Sequence, residues 1–170
     1  MGPLSEYIGC KIDVDDIKSR IKIAQPVLVQ IFVDEYELDG HKPTTPAEPG
    51  KILVKCEARH ELSAKLKKIY RSGIGKLLYL MRWSRPDVLN SVRELSKFMI
   101  NPGPAHLIAM YQVMNYIVAS RDKGLVLAPK QNEHDNQLEV MDMSDSNYAT
   151  DPDNRKSVSG FAYFNNSAAV

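Results

Sequence analysis

The chain has 170 residues, of which 44% are hydrophobic and 25% are charged, and its formal net charge is +1. These values are typical of one ordinary globular domain, or of a small domain with part of another, and they exclude an intrinsically disordered chain. Because basic and acidic residues balance, the overall charge predicts no partner.

The sequence gives no sign of a membrane segment or of an oxidising compartment. No stretch approaches the length of apolar residues that a membrane span needs, and the first residues lack a basic start followed by an apolar run. We therefore expect no membrane partner and no secretory signal. Cys10 and Cys56 share no CxxC or metal-ligand spacing. Reduced thiols and an intracellular location, cytoplasmic or nuclear, are the expectation.

The N-terminal part of the chain predicts a β-hairpin followed by a short helix. Residues 5–24 contain the strand-like "EYIGCKIDV", the polar turn "DDIKS" and the alternating "RIKIA". The segment "QPVLVQIFVDEYEL" then places a proline in the first turn of a helix. The expected apolar face comprises Val27, Leu28, Ile31, Val33 and Tyr36. Residues 39–61 follow as a long Pro- and Gly-punctuated connection, which is usually functional or extended over a surface.

Three helices are predicted next from the spacing of their apolar residues. The first covers residues 63–83, the second begins near Ser84 and Pro86, and the third covers residues 104–119. In the second and third helices, apolar residues recur every three or four positions and form one stripe. The two stripes are Val88, Val92, Leu95 and Met99, and Leu107, Met110, Met114 and Ile117.

A short strand at "LVLAP", a polar linker at "KQNEHDNQ" and a closing strand pair complete the chain. Asp145 stands at the end of the first strand of that pair, where a carboxylate is well placed to hold a metal ion. A two-metal nuclease site needs several converging carboxylates, so Asp145 alone cannot form one. An ordinary turn or capping Asp is the alternative. The predicted fold class is α+β, with a hairpin and helix, a three-helix unit and a terminal strand pair.

One segment, "KLKKIYRSGIGKLLYLMRWSR", holds seven basic residues and no acidic one. Such a local excess is typical of a surface that contacts nucleic-acid phosphates. Tyr70, Tyr79 and Trp83 lie among the basic residues and could stack on bases, although helix packing explains them equally well. A solvated basic helix face is the alternative. The candidate nucleic-acid-binding residues are Lys65, Lys67, Lys68, Arg71, Lys76, Arg82 and Arg85.

Longer motifs now show a family resemblance. The segment "YRSGIGKLLYLMRWSRPDVLNSVRELSKFMINPGPAHLIAMYQVMNYIVASRDKGLVL" resembles the Pol polyprotein of copia-type LTR retrotransposons. The later segment "MSDSNYATDPDNRKSVSGF" is similar to the start of RNase H in that family. Upstream, "GPLSEYIGCKI", "IAQPVLVQ" and "KPTTP" match further family landmarks in the same order.

The resemblance implies a domain organisation and two roles. Residues 1–127 would be the C-terminal part of a reverse transcriptase, with thumb- and connection-like helices, residues 128–137 a linker, and residues 138–170 the truncated start of RNase H. Asp145 would then be the first RNase H carboxylate, a catalytic and magnesium-binding residue. The basic segment would grip an RNA–DNA hybrid or a DNA duplex as template and primer, with the rest of the polyprotein as a further partner.

Departures from the family leave the activity uncertain. The polymerase Asp pair of the family precedes the landmark at which this sequence begins, and the other RNase H carboxylates would follow Val170. Mg²⁺ is therefore implied for the intact family enzyme, but neither a metal ion nor activity is expected of this chain alone. The sequence predicts a fragment of a reverse transcriptase and RNase H polyprotein that contacts template–primer nucleic acid. The alternatives are a non-catalytic nucleic-acid-binding module and a degenerate relic.

Overall fold

The computed structural model describes residues 4–17, 19–57, 60–128, 140–148, 155–165 and 168–169. Helices and antiparallel strands occupy separate stretches of the chain, so the α+β prediction is confirmed. The chain divides into two compact units, residues 1–11 with 23–125 and residues 12–22 with 126–170. Most of the predicted linker, residues 129–137, lies outside the described residues, and the proposed domain boundaries stay a prediction.

Four strands form the first sheet, in the order β1-β2-β3-β4. They are β1 (Glu6–Tyr7), β2 (Cys10–Asp15), β3 (Arg20–Ala24) and β4 (Leu125–Leu127). Strands β1 and β2 are antiparallel, with Tyr7 opposite Cys10. The two residues between them, Ile8 and Gly9, have φ angles of 47° and 66°. Positive φ at both central residues is what a tight two-residue hairpin turn requires.

Helix α1 (Pro26–Glu35) begins at the proline, as its sequence predicts. Its buried face, however, is formed by Val29 and Phe32 and continues to Tyr36, whereas Val27 is 68% exposed. The predicted face is therefore wrong for the valines at 27 and 33, both of which are exposed. Phe32 is fully buried, and its large apolar area stabilises the fold more than a valine would, so it sets the rotation of the helix.

The three predicted helices are α2 (Ala64–Trp83), α3 (Leu89–Ser96) and α4 (Pro104–Ala119). Helix α2 begins after Ser63, whose hydroxyl accepts a hydrogen bond from the Leu66 N–H. A 3₁₀ turn, Pro86–Val88, precedes α3. No helix in the described part of the chain is both long and apolar enough to cross a membrane.

The four helices share one apolar core. The predicted stripes of α3 and α4 supply it, since Val92, Met110 and Met114 are fully buried. Tyr70 of α2 is also fully buried, and its hydroxyl donates to the Leu95 carbonyl at 2.7 Å. Burial raises the pKa of Tyr70, so this phenol stays protonated and remains a donor. The core therefore fixes the rotation of α2 and decides which of its basic residues face outward.

Polar side chains of α4 hold the long connection between α1 and α2. Asn115 donates to Asp39 at 2.8 Å, near the start of the connection. Further along, the Gly103 N–H donates to Nδ1 of His106 at 2.8 Å, which leaves the ring proton on Nε2. That Nε2 lies 3.0 Å from the Val54 carbonyl and donates to it. The connection is therefore tied to both ends of one helix.

The second sheet contains β5 (Val140–Asn147), β6 (Val158–Asn165) and β7 (Ala168–Ala169), in that order. Strands β5 and β6 form the predicted antiparallel pair, with Asp145 opposite Gly160. Strand β7 continues the sheet beyond β6, which the sequence did not predict. Residues 149–154, which include most of the predicted acidic turn, lie outside the described residues.

Candidate nucleic-acid interface and carboxylate site

Helix α2 separates its apolar and basic residues onto two faces. The buried face carries Tyr70, Ile74, Leu77 and Leu80. On the exposed face, one row follows spacings of three and four residues, which brings its members onto a single line. This α2 row consists of Lys65, Lys68, Ser72, Gly75, Tyr79 and Arg82, all of them exposed.

The cations of the α2 row have no partner among the described residues. Neither Lys65, Lys68 nor Arg82 makes a hydrogen bond or ion pair in that part of the chain. Tyr79 is partly exposed, and its hydroxyl donates to the Ile8 carbonyl at 2.5 Å, which fixes the ring beside the row. The row therefore presents three charges and an aromatic ring to solvent, separated by the small residues Ser72 and Gly75.

Three other predicted contact residues are engaged within the protein. Lys67 forms an ion pair with Glu61 at 2.5 Å. The Arg71 Nε donates to the Met99 carbonyl at 2.8 Å, beyond the end of α3. These contacts occupy some of the donors of Lys67 and Arg71. The two side chains are therefore less available to a ligand than the cations of the α2 row.

Of these three residues, Lys76 makes the closest contacts within the protein. Its Nζ is paired with the Glu35 carboxylate and lies 5.0 Å from the centre of the Tyr36 ring. Desolvation acts to lower the pKa of Lys76, but the hydrogen bond to Glu35 and the nearby Tyr36 outweigh it and raise the pKa above its usual value. Lys76 therefore holds α1 against α2.

Arg85 departs most from its predicted role. Its side chain is 3% exposed and forms a double hydrogen bond with the Asp87 carboxylate, at 2.9 and 2.8 Å. It also donates to the carbonyl and hydroxyl oxygens of Ser120, and its guanidinium lies 5.4 Å from the Tyr116 ring centre. Because this guanidinium is buried and four of its five N–H groups are hydrogen-bonded within the protein, we remove Arg85 from the candidate surface.

A shallow cleft of about 570 Å³ lies beside the N-terminal half of α2. Three of its lining residues are the cations Lys67, Lys68 and Arg71. Ser72 lines the cleft too, and its hydroxyl oxygen accepts a hydrogen bond from the Tyr36 hydroxyl at 3.4 Å. Ser72 was not among the candidate residues predicted from the sequence, although its helical spacing from Lys68 places it on the same row.

Asp145 lies on an exposed strand rather than in an enclosed site. Its side chain shares one face of the strand pair with Met143, because alternate residues of a strand point to the same side. Within the described ranges, no group of three or more His, Cys, Asp or Glu side chains could hold a metal ion. This donor set does not fit a two-metal magnesium centre, which needs several converging carboxylates.

The strand pair around Asp145 exposes apolar side chains on both faces. Met143 on one face is 54% exposed, and Phe161 and Tyr163 on the other face are 76% and 52% exposed. The two aromatic rings contact each other edge to face at 5.4 Å. Two strands with both faces in water have little buried area to stabilise them.

Comparison with known proteins relates the chain to retrotransposon polyproteins. It is 24% identical over 174 aligned positions to the "Retrovirus-related Pol polyprotein from transposon TNT 1-94" of Nicotiana tabacum. That alignment covers the whole chain but only 13% of the relative. It is also 32% identical over 95 residues to the "Retrovirus-related Pol polyprotein from transposon RE1" of Arabidopsis thaliana, which is 56% of this chain and 6% of the relative.

A shorter relative is covered more fully. The chain is 31% identical over 101 residues to the "Secreted RxLR effector protein 161" of Plasmopara viticola, which is 59% of this chain and 68% of that protein. No protein-family model and no solved structure matches the chain. Of the Pol polyproteins, by contrast, the chain spans only a small fraction of the length.

Proposed function

We propose that this chain, which has relatives among retrotransposon Pol polyproteins, is a piece of Pol that contacts template–primer nucleic acid through the α2 row. The observation that supports this most is the row itself, in which exposed Lys65, Lys68 and Arg82 face one direction without a partner among the described residues. From Lys65 to Arg82 the row extends about 26 Å along the helix axis, at about 1.5 Å per residue. That length corresponds to roughly seven base steps along the axis of a duplex, at about 3.4 Å of rise for each phosphate of one strand.

The basic residues differ in whether they have protein partners, and this difference favours a ligand-binding role for the α2 row over a face that contacts only solvent. Where a cation of this segment serves the fold, it has a defined partner, as Lys76 has with Glu35 and Arg85 with Asp87. In the described part of the chain the cations of the α2 row have no such partners, and the sequence contains no acidic residue between Lys65 and Arg85. Unscreened positive charge along a helix face is the electrostatic pattern of phosphate-backbone binding.

The finer assignment within Pol rests on the motifs. We propose a copia-type element, with residues 1–127 as the C-terminal part of its reverse transcriptase and residues 138–170 as the start of RNase H. Asp145 is then the first carboxylate of the RNase H centre, and Mg²⁺ belongs to the intact enzyme. Since the described residues do not fit a magnesium centre, the chain alone is proposed to be inactive. The free thiols of Cys10 and Cys56 suit a reducing cytoplasm or nucleus.

The test is salt-dependent binding to a DNA duplex and to an RNA–DNA hybrid. We expect both to bind, with an affinity that falls steeply as salt rises. In the double variant Lys68→Gln/Arg82→Gln the slope of log K against log salt should flatten by about 1.8, the value for two lost phosphate contacts. The matched control is Lys42→Gln/Lys55→Gln, which removes the same charge from exposed loop positions.

Two results would contradict the proposal. Equal slopes for the two double variants would show that net charge, and not the α2 row, governs binding. Magnesium-dependent cleavage of the hybrid by the purified chain, abolished in Asp145→Asn, would contradict its inactivity.

A further inference from the structure

The cleft beside α2 combines positive charge with hydroxyl and guanidinium donors. Lys67, Lys68 and Arg71 line it together with Ser72, and none of the described lining residues is acidic. Its volume is about 570 Å³, and its described lining residues all belong to α2, so the cleft is open to solvent along the helix. A concave site of this charge is suited to a compact anion.

The position of these cations is unfavourable for the helix itself. The N-terminus of a helix carries about half a positive elementary charge, so acidic residues are usually preferred there. The first turn of α2 contains no acidic residue, and Lys65, Lys67 and Lys68 fall in its first five positions. Only Lys67 is neutralised, by Glu61 before the helix begins. An anion in the cleft would offset this accumulation of charge.

Several donors that line the cleft remain available to a ligand. Lys68 has no partner in the part of the chain that the structure describes, and Arg71 uses its Nε and Nη2 on the carbonyls of residues 99 and 100 but leaves Nη1 free. The Ser72 oxygen accepts from Tyr36, so its own proton can be donated elsewhere. An ammonium, a guanidinium edge and a hydroxyl together form a set that recognises phosphate oxygens.

We propose that this cleft binds a phosphate dianion, supplied by the terminal phosphomonoester of a nucleic-acid strand that lies on the α2 row. The inference rests on the proposed function. A phosphodiester carries one charge and is flanked by sugars on both sides, so it follows a convex surface such as the row. A terminal phosphate carries close to two charges at neutral pH and projects from the strand, and it can therefore enter a concave site.

The experiment compares two short blunt DNA duplexes that differ only in a 5′-phosphate, by fluorescence anisotropy at constant ionic strength. The phosphorylated duplex should bind roughly tenfold more tightly, because its terminal phosphate accepts additional charge-assisted hydrogen bonds from the cleft. Ser72→Ala should abolish that preference, because it weakens binding of the phosphorylated duplex roughly tenfold more than binding of the unphosphorylated one. Arg82→Gln, outside the cleft, should weaken both duplexes alike and keep their ratio. Circular dichroism verifies that both variants are folded.

A free-phosphate arm separates the two sources of the anion. If millimolar phosphate, with chloride as the control, removes the preference, the dianion alone suffices; if it does not, the attached strand contributes. Both outcomes support the site, because both begin from a preference for the phosphorylated end.

Failure of the cleft proposal and failure of the proposed function give different binding results. Salt-dependent binding of both duplexes with equal affinity, or a preference that survives Ser72→Ala, overturns the cleft and leaves the α2 row intact. If neither duplex binds but phosphate raises the melting temperature of the parent chain and not of Ser72→Ala, the proposed function fails and the cleft remains as a free-phosphate site.

Discussion

The guanidinium of Arg85 and the carboxylate of Asp87, two residues apart, form a double hydrogen bond at 2.9 and 2.8 Å that is also tied to α4. From α4, the Tyr116 hydroxyl donates to Asp87 at 2.9 Å, and the Ser120 carbonyl accepts from Arg85 at 3.1 Å. The Arg-Pro-Asp sequence, one of the motifs behind the family resemblance, therefore joins the start of α3 to the end of α4. Its role in this chain is to hold the helices together.

Arg85→Ala should accordingly reduce stability without altering the nucleic-acid interface. Loss of the guanidinium removes the double hydrogen bond to Asp87 and the bonds to Ser120, and we expect the free energy of unfolding to fall by about 2–4 kcal/mol. Urea unfolding measures it. Arg82→Ala is the control, with a change within about 0.5 kcal/mol because that side chain is exposed and has no partner among the described residues. Equal effects of the two substitutions would contradict a structural role for Arg85.

The same pair predicts a pH dependence. Desolvation acts to raise the pKa of Asp87, but the hydrogen bond and charge of Arg85, with the Tyr116 hydroxyl, outweigh it and hold the pKa below its ordinary value. A depressed carboxyl pKa adds stability above the ordinary value of about 3.9, and this stability is lost as the pH falls through the folded-state pKa. Asp87→Asn should therefore be less stable than the parent at neutral pH, with a difference that narrows below about pH 4. Urea titrations at both pH values test this, and a constant difference would contradict it.

Two glycines of α2 provide a matched test of helix packing. A Cβ at Gly73 would lie 2.5 Å from the Met110 sulfur and 2.8 Å from the Met114 methyl, whereas a Cβ at Gly75 would meet nothing within 4 Å. Alanine favours both positions equally as a helix former, by about 1 kcal/mol. Gly75→Ala should thus stabilise the chain, and Gly73→Ala should be less stable than Gly75→Ala by about 1–3 kcal/mol, the cost of overpacking. Identical unfolding midpoints for the two variants would show that α4 does not pack this closely.

The predictable parts of the fold are those that depend on local periodicity. Val88, Val92 and Leu95 recur at helical spacing and are buried, and the proline at residue 26 begins α1 as expected. The rotation of α1 was not predictable, because its valines and its phenylalanine fit two overlapping apolar faces. Only packing against the other helices selects the face that contains Phe32.

The basic residues of the candidate site show more clearly that a local sequence pattern does not predict contacts with distant residues. Charge counting found the basic segment, but it could not separate the α2 row from Lys76 or Arg85. Lys76 is paired with Glu35, 41 residues earlier, and Arg85 binds Ser120, 35 residues later. Which cations remain free for a ligand is decided by such distant partners, and a local pattern contains no information about them.

The ties between α4 and the long connection lead to a final prediction. His106 is buried, stacks on Phe98 at 4.1 Å between ring centres, and joins the Gly103 N–H to the Val54 carbonyl. His106→Ala removes both hydrogen bonds and should lower the free energy of unfolding by about 2–3 kcal/mol. Limited proteolysis within residues 51–57 should accelerate, while the exposed truncation Ile108→Ala on the same helix leaves its rate unchanged. Protection that is retained in His106→Ala would mean that apolar contacts alone, such as those of Leu53 with the core, hold the connection in place.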